Sequence, residues 1–206
     1  MHTNSDLRPI HRLAVLTSVE VVSSVTVDDL SRPTPCAGWH LLDLLAHMTV
    51  QHRGFAAAAR GSGADLAIWR PETVADAVAA DPVATYAAAA VDVIDAFAGV
   101  DALERAVALP ELGAGVTFPA ALAIGFHLVD YAVHGWDVAR TLGKSIDPPA
   151  QVVAAALPLA FAVPGGKFRT DPKSPFGPAI PPSDQAGDLD RLLAHLGRDP
   201  HWRTSA

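Results

Sequence analysis

The run His127-Leu128-Val129-Asp130-Tyr131-Ala132-Val133-His134-Gly135-Trp136-Asp137 concentrates side chains that could do chemistry. On a helix of about 3.6 residues per turn, His127, Asp130, His134, Asp137 and Thr141 share one stripe. Asp130 and His134 are four apart, so their side chains can converge on one point. One helix offers a divalent metal a carboxylate and an imidazole in this way. A second helix must supply a further ligand. His47 stands in the apolar run Leu44-Leu45-Ala46-His47-Met48, on a face that also carries His40, Asp43, Gln51 and Gly54. His52 points elsewhere, because five residues are nearly one and a half turns. His47, Asp130 and His134 would give two imidazoles and one carboxylate. Three protein ligands leave a position open for water or substrate, which is the catalytic kind of metal site. Asp43 and Asp137 could orient the imidazoles from behind. The bland alternative is a set of polar side chains satisfied by ordinary hydrogen bonds, since a His–Asp pair at this spacing also steadies plain helices. Against it, the stripe holds more titratable groups than a core tolerates without purpose.

Other constellations are incomplete. No G-x-S-x-G elbow anchors a serine hydrolase. Pro164-Gly165-Gly166-Lys167 lacks the phosphate-loop spacing and the following Ser or Thr, and no G-x-G-x-x-G follows a strand. Cys36, beside Pro35, reads as a small packing residue in a loop. Trp39, Trp136 and Trp202 read as packing, and His195 and His201 as solvated surface near a terminus. Arg53 and Arg140 could hold an anionic substrate, although a solvated arginine is the commoner case.

The elements that must position these groups read as long helices. The first spans Leu7 to Leu30, where length favours helix and the eight β-branched residues from Val15 to Val27 favour strand. Arg32 to Trp39 holds two prolines and a glycine and is irregular. A second helix runs from Trp39 to about Arg60 and stops at Gly61-Ser62-Gly63. Residues 64 to 81 form a loop with a short helix. Asp81-Pro82 opens a third helix that ends near Gly99. Residues 103 to 117 suggest a strand or hairpin excursion. A fourth helix spans Pro119 to Leu142, closed by Gly143. A fifth follows Pro148-Pro149, with Pro158 as a kink or stop. Residues 164 to 187 are a Pro/Gly/Ser-rich crossing, and Leu189 to Leu196 is a last short helix. Long amphipathic helices with few strands predict an all-α helix bundle. We expect the bundle over residues 1–163, with 164–206 an extension packed on it in the same domain.

Composition narrows the function classes. The chain has 206 residues, half of them hydrophobic, and a net charge of −7. That acidity lacks the electrostatic footprint of a nucleic-acid binder. A lone cysteine excludes an internal disulfide framework and a cysteine-built zinc site. Two apolar stretches resemble membrane spans, but 83–100 carries Asp92 and Asp95, and 150–163 is too short. No apolar leader precedes the first helix. A soluble cytoplasmic protein with a small-molecule substrate, as monomer or homodimer, is the expectation.

Thr34-Pro35-Cys36-Ala37-Gly38-Trp39, followed by Asp43-Leu44-Leu45-Ala46-His47, resembles the opening of the DinB/YfiT-like metal-binding superfamily. The resemblance is to its actinobacterial branch, related to the N-terminal domain of mycothiol-dependent maleylpyruvate isomerase. His134-Gly135-Trp136-Asp137-Val138-Ala139-Arg140 and the ending Gly197-Arg198-Asp199-Pro200 with Trp202 match that branch as well. The resemblance implies an up-down-down-up four-helix bundle with a divalent metal between helices. It also implies ligands at His47, Asp130 and His134, the set that spacing selects. Two departures stand out. Asp130 takes the place of a glutamate, and about forty residues follow the fifth helix where the isomerase carries a further domain.

The resulting expectation is an enzyme: a metal-dependent transferase or isomerase that uses mycothiol or another low-molecular-weight thiol on a small electrophilic substrate. Zinc is the first choice of metal and nickel the second. Gln51, His127, Asp137 and Arg140 are candidates for the substrate pocket, with Gln51, His127 or Asp137 moving protons and Arg53 or Arg140 holding a carboxylate. The alternatives are a bundle that binds metal or a small ligand without turnover, and a metal-dependent hydrolase. His127 discriminates: if it reaches the metal the site approaches closure, and if it does not an open position remains.

Overall fold

Pro9 lies in the first turn of α1 (Arg8–Val22), where its missing N–H costs no hydrogen bond. The helix ends at Ser23, whose N–H reaches back to the Val19 carbonyl. The expected continuation to Leu30 fails at Val25-Thr26-Val27. There Thr26 is extended, and its N–H and hydroxyl both donate to the Asp29 carboxylate, which closes a short 3-10 turn, Val27–Asp29. Propensity and a local side-chain bond together win over length.

The computed structural model describes residues 6–170 and 176–204. The other long helices follow their punctuation. α2 (Leu41–Arg60) begins where the Asp43 carboxylate accepts from the His40 N–H, and it ends on Gly61 at φ 92°. After the 3-10 turn Leu66–Trp69 and the short α3 (Ala75–Ala80), α4 (Pro82–Ala98) opens with the Asp81 carboxylate capping the Ala84 N–H. The hairpin excursion is real: β1 (Ala106–Ala108) pairs antiparallel with β2 (Thr117–Pro119), Val107 opposite Phe118. α5 (Ala120–Thr141) follows directly, then α6 (Ala150–Phe161), which continues across Pro158. The proline-rich crossing contains a single turn, α7 (Lys167–Thr170), and part of it lies outside the described residues. α8 (Asp188–His195) is the last helix.

α1 packs on α4 and α5, and α2 packs on the same two helices. The main core lies among these four, built from residues such as Val15, Leu44, Leu45, Met48, Tyr86, Ile94 and Tyr131. A second core joins Phe55, Trp69 and Phe97 to the hairpin. A third binds α6 and α8 to α5, with Leu192, Leu193 and Leu196 against Leu128, Val133 and Trp136. Among the described residues no helix is long and apolar enough to cross a membrane.

One close approach governs the end of α2. The Trp69 indole lies on Gly54, where an added Cβ would fall 2.4 Å from two ring carbons. The indole N–H donates to the Gly63 carbonyl at 2.9 Å, which pins the ring in place. Gly54→Ala is therefore expected to destabilise the protein by about 1–3 kcal/mol through overpacking. Urea unfolding followed by tryptophan fluorescence measures this, and an unchanged midpoint would mean that the ring moves freely.

Candidate metal centre

The Thr34-to-Trp39 segment is a closed turn, not a slack loop. The Thr34 N–H donates to the Trp39 carbonyl, the Thr34 hydroxyl accepts from the Cys36 N–H, and Gly38 takes φ 82°. The turn aims Cys36 at α5 and lays the Trp39 ring 5.1 Å from the His47 ring. His47 projects from α2, and Asp130 and His134 project from α5 one turn apart. One donor atom from each of these three lies within 4.8 Å of the others. His134 Nε2 is 3.3 Å from Asp130 Oδ1, and the His47 and His134 rings meet edge to face at 5.2 Å.

His134 is held from its other side. Its Nδ1 lies 2.8 Å from Asp137 Oδ2, and Asp137 is fully buried. The same oxygen accepts from the Cys36 thiol at 3.2 Å and from Arg198 Nη2 at 3.3 Å. With Nδ1–H donating to Asp137, the Nε2 lone pair is left facing Asp130 and His47, which is the tautomer a metal ligand needs.

The donor set passes a further test of fit. Asp130 Oδ2 is buried and has no hydrogen-bond partner among the described residues, an expensive state for a carboxylate oxygen unless a cation meets it. Two imidazoles and a carboxylate suit zinc and its neighbours in the first transition row. Without a metal, a proton does the work of the cation. Burial opposes a charge on His134, but Asp130 and Asp137 on either side outweigh it and raise its pKa well above 6.5. Burial would likewise raise Asp130, and His134 overcomes this to pull it below the ordinary carboxylate range. His47 is pushed down to about 4, chiefly by burial, so it is neutral and ready to coordinate.

The other expected site residues separate into two groups. Gln51 lies at the rim, its Nε2 donating at 2.7 Å to Glu111 in the turn between β1 and β2. Burial lifts the Glu111 pKa, Gln51 pulls it down, the Asp130 charge adds to the rise, and the net shift is upward. Glu111 also borders an open cleft of about 720 Å³ whose wall includes Trp69, Arg70, Glu72 and Thr73. His127 and Arg140 belong elsewhere. His127 is buried and hydrogen-bonded between His11 and His52, because α1 and α2 both present a histidine to it. Arg140 is taken by Asp147 at 2.6 Å, by the Lys144 carbonyl and by the Trp136 ring face. Asp137 supports His134 and is too deep to touch a substrate. Asp43 caps α2 instead of orienting His47, and Arg53 is exposed on α2. His195 is partly buried, against Phe161 and Arg169, where a solvated side chain was expected. Cys36, Glu111 and Arg198 were missed as members of the site. Cys36 and Arg198 do stand within the two outer motifs of the sequence.

A mostly helical chain with one small two-stranded sheet has the helical fold of the DinB-like class. The chain belongs to the family described as mycothiol maleylpyruvate isomerase N-terminal domain, whose model matches residues 12–139. Two uncharacterized proteins of Mycobacterium tuberculosis, from strains H37Rv and CDC 1551, are each 29% identical over 189 residues, covering 91% of this chain and 95% of theirs. The crystal structure of the mycothiol-dependent maleylpyruvate isomerase superposes with a TM-score of 0.66 at 17% identity, covering 94% of this chain and 91% of that one. A histidine-to-alanine mutant of that enzyme gives 0.64 at 16% identity with the same coverage.

Arg198 and Asp137 form a buried pair whose loss is unequal to its presence. Arg198→Met should cost about 3–5 kcal/mol by leaving the buried carboxylates of Asp130 and Asp137 with only the His134 charge between them. Adding Asp137→Asn should recover part of that cost. A double-mutant cycle by chemical denaturation reads the coupling, and additive losses would mean the pair is not coupled.

Proposed function

We propose that the protein is a metal- and thiol-dependent transferase or isomerase acting on a small electrophilic substrate, with His47, Asp130 and His134 as metal ligands. The carrying observation is the convergence of these three donors around an unpartnered buried carboxylate oxygen. Zinc is the proposed metal, with nickel as the alternative, and mycothiol or a related small thiol is the proposed cofactor. Family membership supports the thiol, and so does a structural neighbour titled as a mycothiol-dependent enzyme.

When bound, the metal would supply a position at which a thiol gives up its proton near neutral pH. The chain's own residues do the rest. Asp137 fixes the ring of His134, with Arg198 balancing its charge. His127 points away, so three ligands remain and a coordination position stays open, which favours turnover over a purely structural site. His47 and Asp130 are partly exposed, so that position faces the rim. There the Glu111 carboxyl, steadied by Gln51, is placed to accept a proton from an incoming group.

Metal analysis of untagged protein, with His47→Ala and His134→Ala alongside, tests the reading. Near-stoichiometric zinc or nickel is expected, lost in both variants. Asp137→Asn should weaken zinc binding about 10–100-fold. Turnover of electrophiles only when a thiol is added supports the thiol-dependent reading, and turnover without thiol favours a hydrolase. A protein that refuses both metals sinks the proposal.

A further inference from the structure

Three histidines lie outside the metal cluster and bond only to one another. His11 comes from α1, His52 from α2 and His127 from α5. His11 Nε2 is 2.8 Å from His127 Nδ1, and His127 Nε2 is 3.2 Å from His52 Nδ1. All three are buried, at 1% exposure or less. Their walls are aromatic. Phe55 and Phe97 meet the His127 ring edge to face, and Tyr131 stacks on both His127 and His52 at centroid distances of 4.1 and 4.0 Å. Tyr86 of α4 lies 5.1 Å from His52, with its hydroxyl bonded to Ser18 of α1. No carboxylate touches the rings among the described residues. The one acid whose field reaches the chain is Asp130, acting on His52. Among the described residues, His52 Nε2 has no hydrogen-bond partner.

Proton counting shows what this arrangement cannot hold. Each link needs one donor and one acceptor, and a neutral imidazole supplies one of each. The neutral chain therefore satisfies both links. One added proton leaves the links intact but places a cation among aromatic walls with no counter-charge in contact. A second leaves too few acceptors, and one link must break.

We propose that this chain is an acid-sensitive latch: proton uptake by its rings frees α1 from α2 and α5 and loosens the metal cluster that those two helices carry. The metal-release half rests on the metal-binding reading above, and the α1 half stands without it. Spacing couples the two, for His127 precedes Asp130 by less than one turn on α5, and His52 follows His47 on α2.

The sign follows from burial. It lowers the His11 pKa from 6.5 to about 3 and takes His52 and His127 well below 6.5. Below pH 6.5 the opened rings bind protons that the closed ones refuse. The latch is thus closed above pH 6.5 and weakens as pH falls towards 3. At pH 5 the shift of His11 alone favours opening by about 30-fold, and His52 and His127 act in the same direction.

The test measures zinc affinity by chelator competition from pH 7.5 to 5.0, in the wild type and in His127→Gln. Glutamine keeps one donor and one acceptor for the two links and does not titrate. Each latch proton coupled to zinc loss adds one unit of slope to log Kd against pH. Below pH 6.5 the variant, with one titrating ring fewer, should give a plot shallower by up to one unit, and parallel plots overturn the latch. Should the variant fail to fold, His11→Gln takes its place. A second arm follows hydrogen exchange of the metal-free protein, corrected for intrinsic rates. In the wild type, α1 amides should lose protection between pH 7 and 5 before those of α8, and in the variant they should lose it at a lower pH. Equal loss in α1 and α8, or in variant and wild type, overturns the latch. A wild type that binds no zinc but shows the α1 pattern sinks the metal reading and leaves the latch standing.

Discussion

One buried oxygen, Oδ2 of Asp137, organises the candidate metal centre. It accepts from the His134 ring, the Cys36 thiol and the Arg198 guanidinium. A carboxylate with no solvent exposure is costly to bury unless its charge is met and its lone pairs are filled. Burial would raise the Asp137 pKa, and Arg198 reverses this, so the group remains ionised. Three parts of the chain far apart in sequence, the turn after α1, the middle of α5 and the segment after α8, are tied to that atom. Its consequence is local. It sets the His134 ring in one orientation and one tautomer, and the cluster with His47 and Asp130 inherits that geometry.

The same two helices carry a second polar system with the opposite logic. Around His134 the buried charges are paired and carboxylates are present on both sides. Around His127 no acid is in contact and neutrality is the condition for burial. Five residues separate His47 from His52, which turns them to different faces of α2, so each system receives one histidine from that helix. On α5 the stripe from His127 to Asp137 is divided by its neighbours: α1 supplies His11 to one end, and the Cys36 turn and Arg198 close on the other.

Much of this was legible in the sequence. Gly61, Asp81-Pro82 and Gly143 mark helix ends because capping is a local matter of backbone angle and one side-chain bond. The His47, Asp130 and His134 set could be read because helical periodicity alone brings two of them together, and an apolar run marks the face of the third. The end of α1 could not, since β-branched preference and the Thr26–Asp29 bond compete with hydrophobic length on nearly equal terms. Cys36 looked like packing because its partner lies 101 positions away, and Arg198 is 61 positions from Asp137. Arg140 looked free, yet Asp147 and Trp136 claim it from its own neighbourhood. Periodicity reports which side of a helix a residue occupies. It says nothing of which distant element arrives there.

That division also limits what kinship conveys. The groups that would hold a metal sit on long helices, packed on both sides and tied to Asp137. Such a core changes slowly without losing its fold, and a fold shared at 17% identity is what the comparison finds. The groups that would meet a substrate sit elsewhere. Glu111 rides on the turn of a two-stranded hairpin, and the far wall of the cleft comes from the short turns between α2 and α3. Turns of this kind accept substitution more readily than the helices that carry them. Shared helices therefore argue for a shared fold, and the case for metal chemistry rests on the convergence of His47, Asp130 and His134 in this chain. In the proposed reading, substrate choice would fall to residues lining the cleft, such as Glu111, Arg70, Glu72 and Thr73, where likeness of fold carries no instruction.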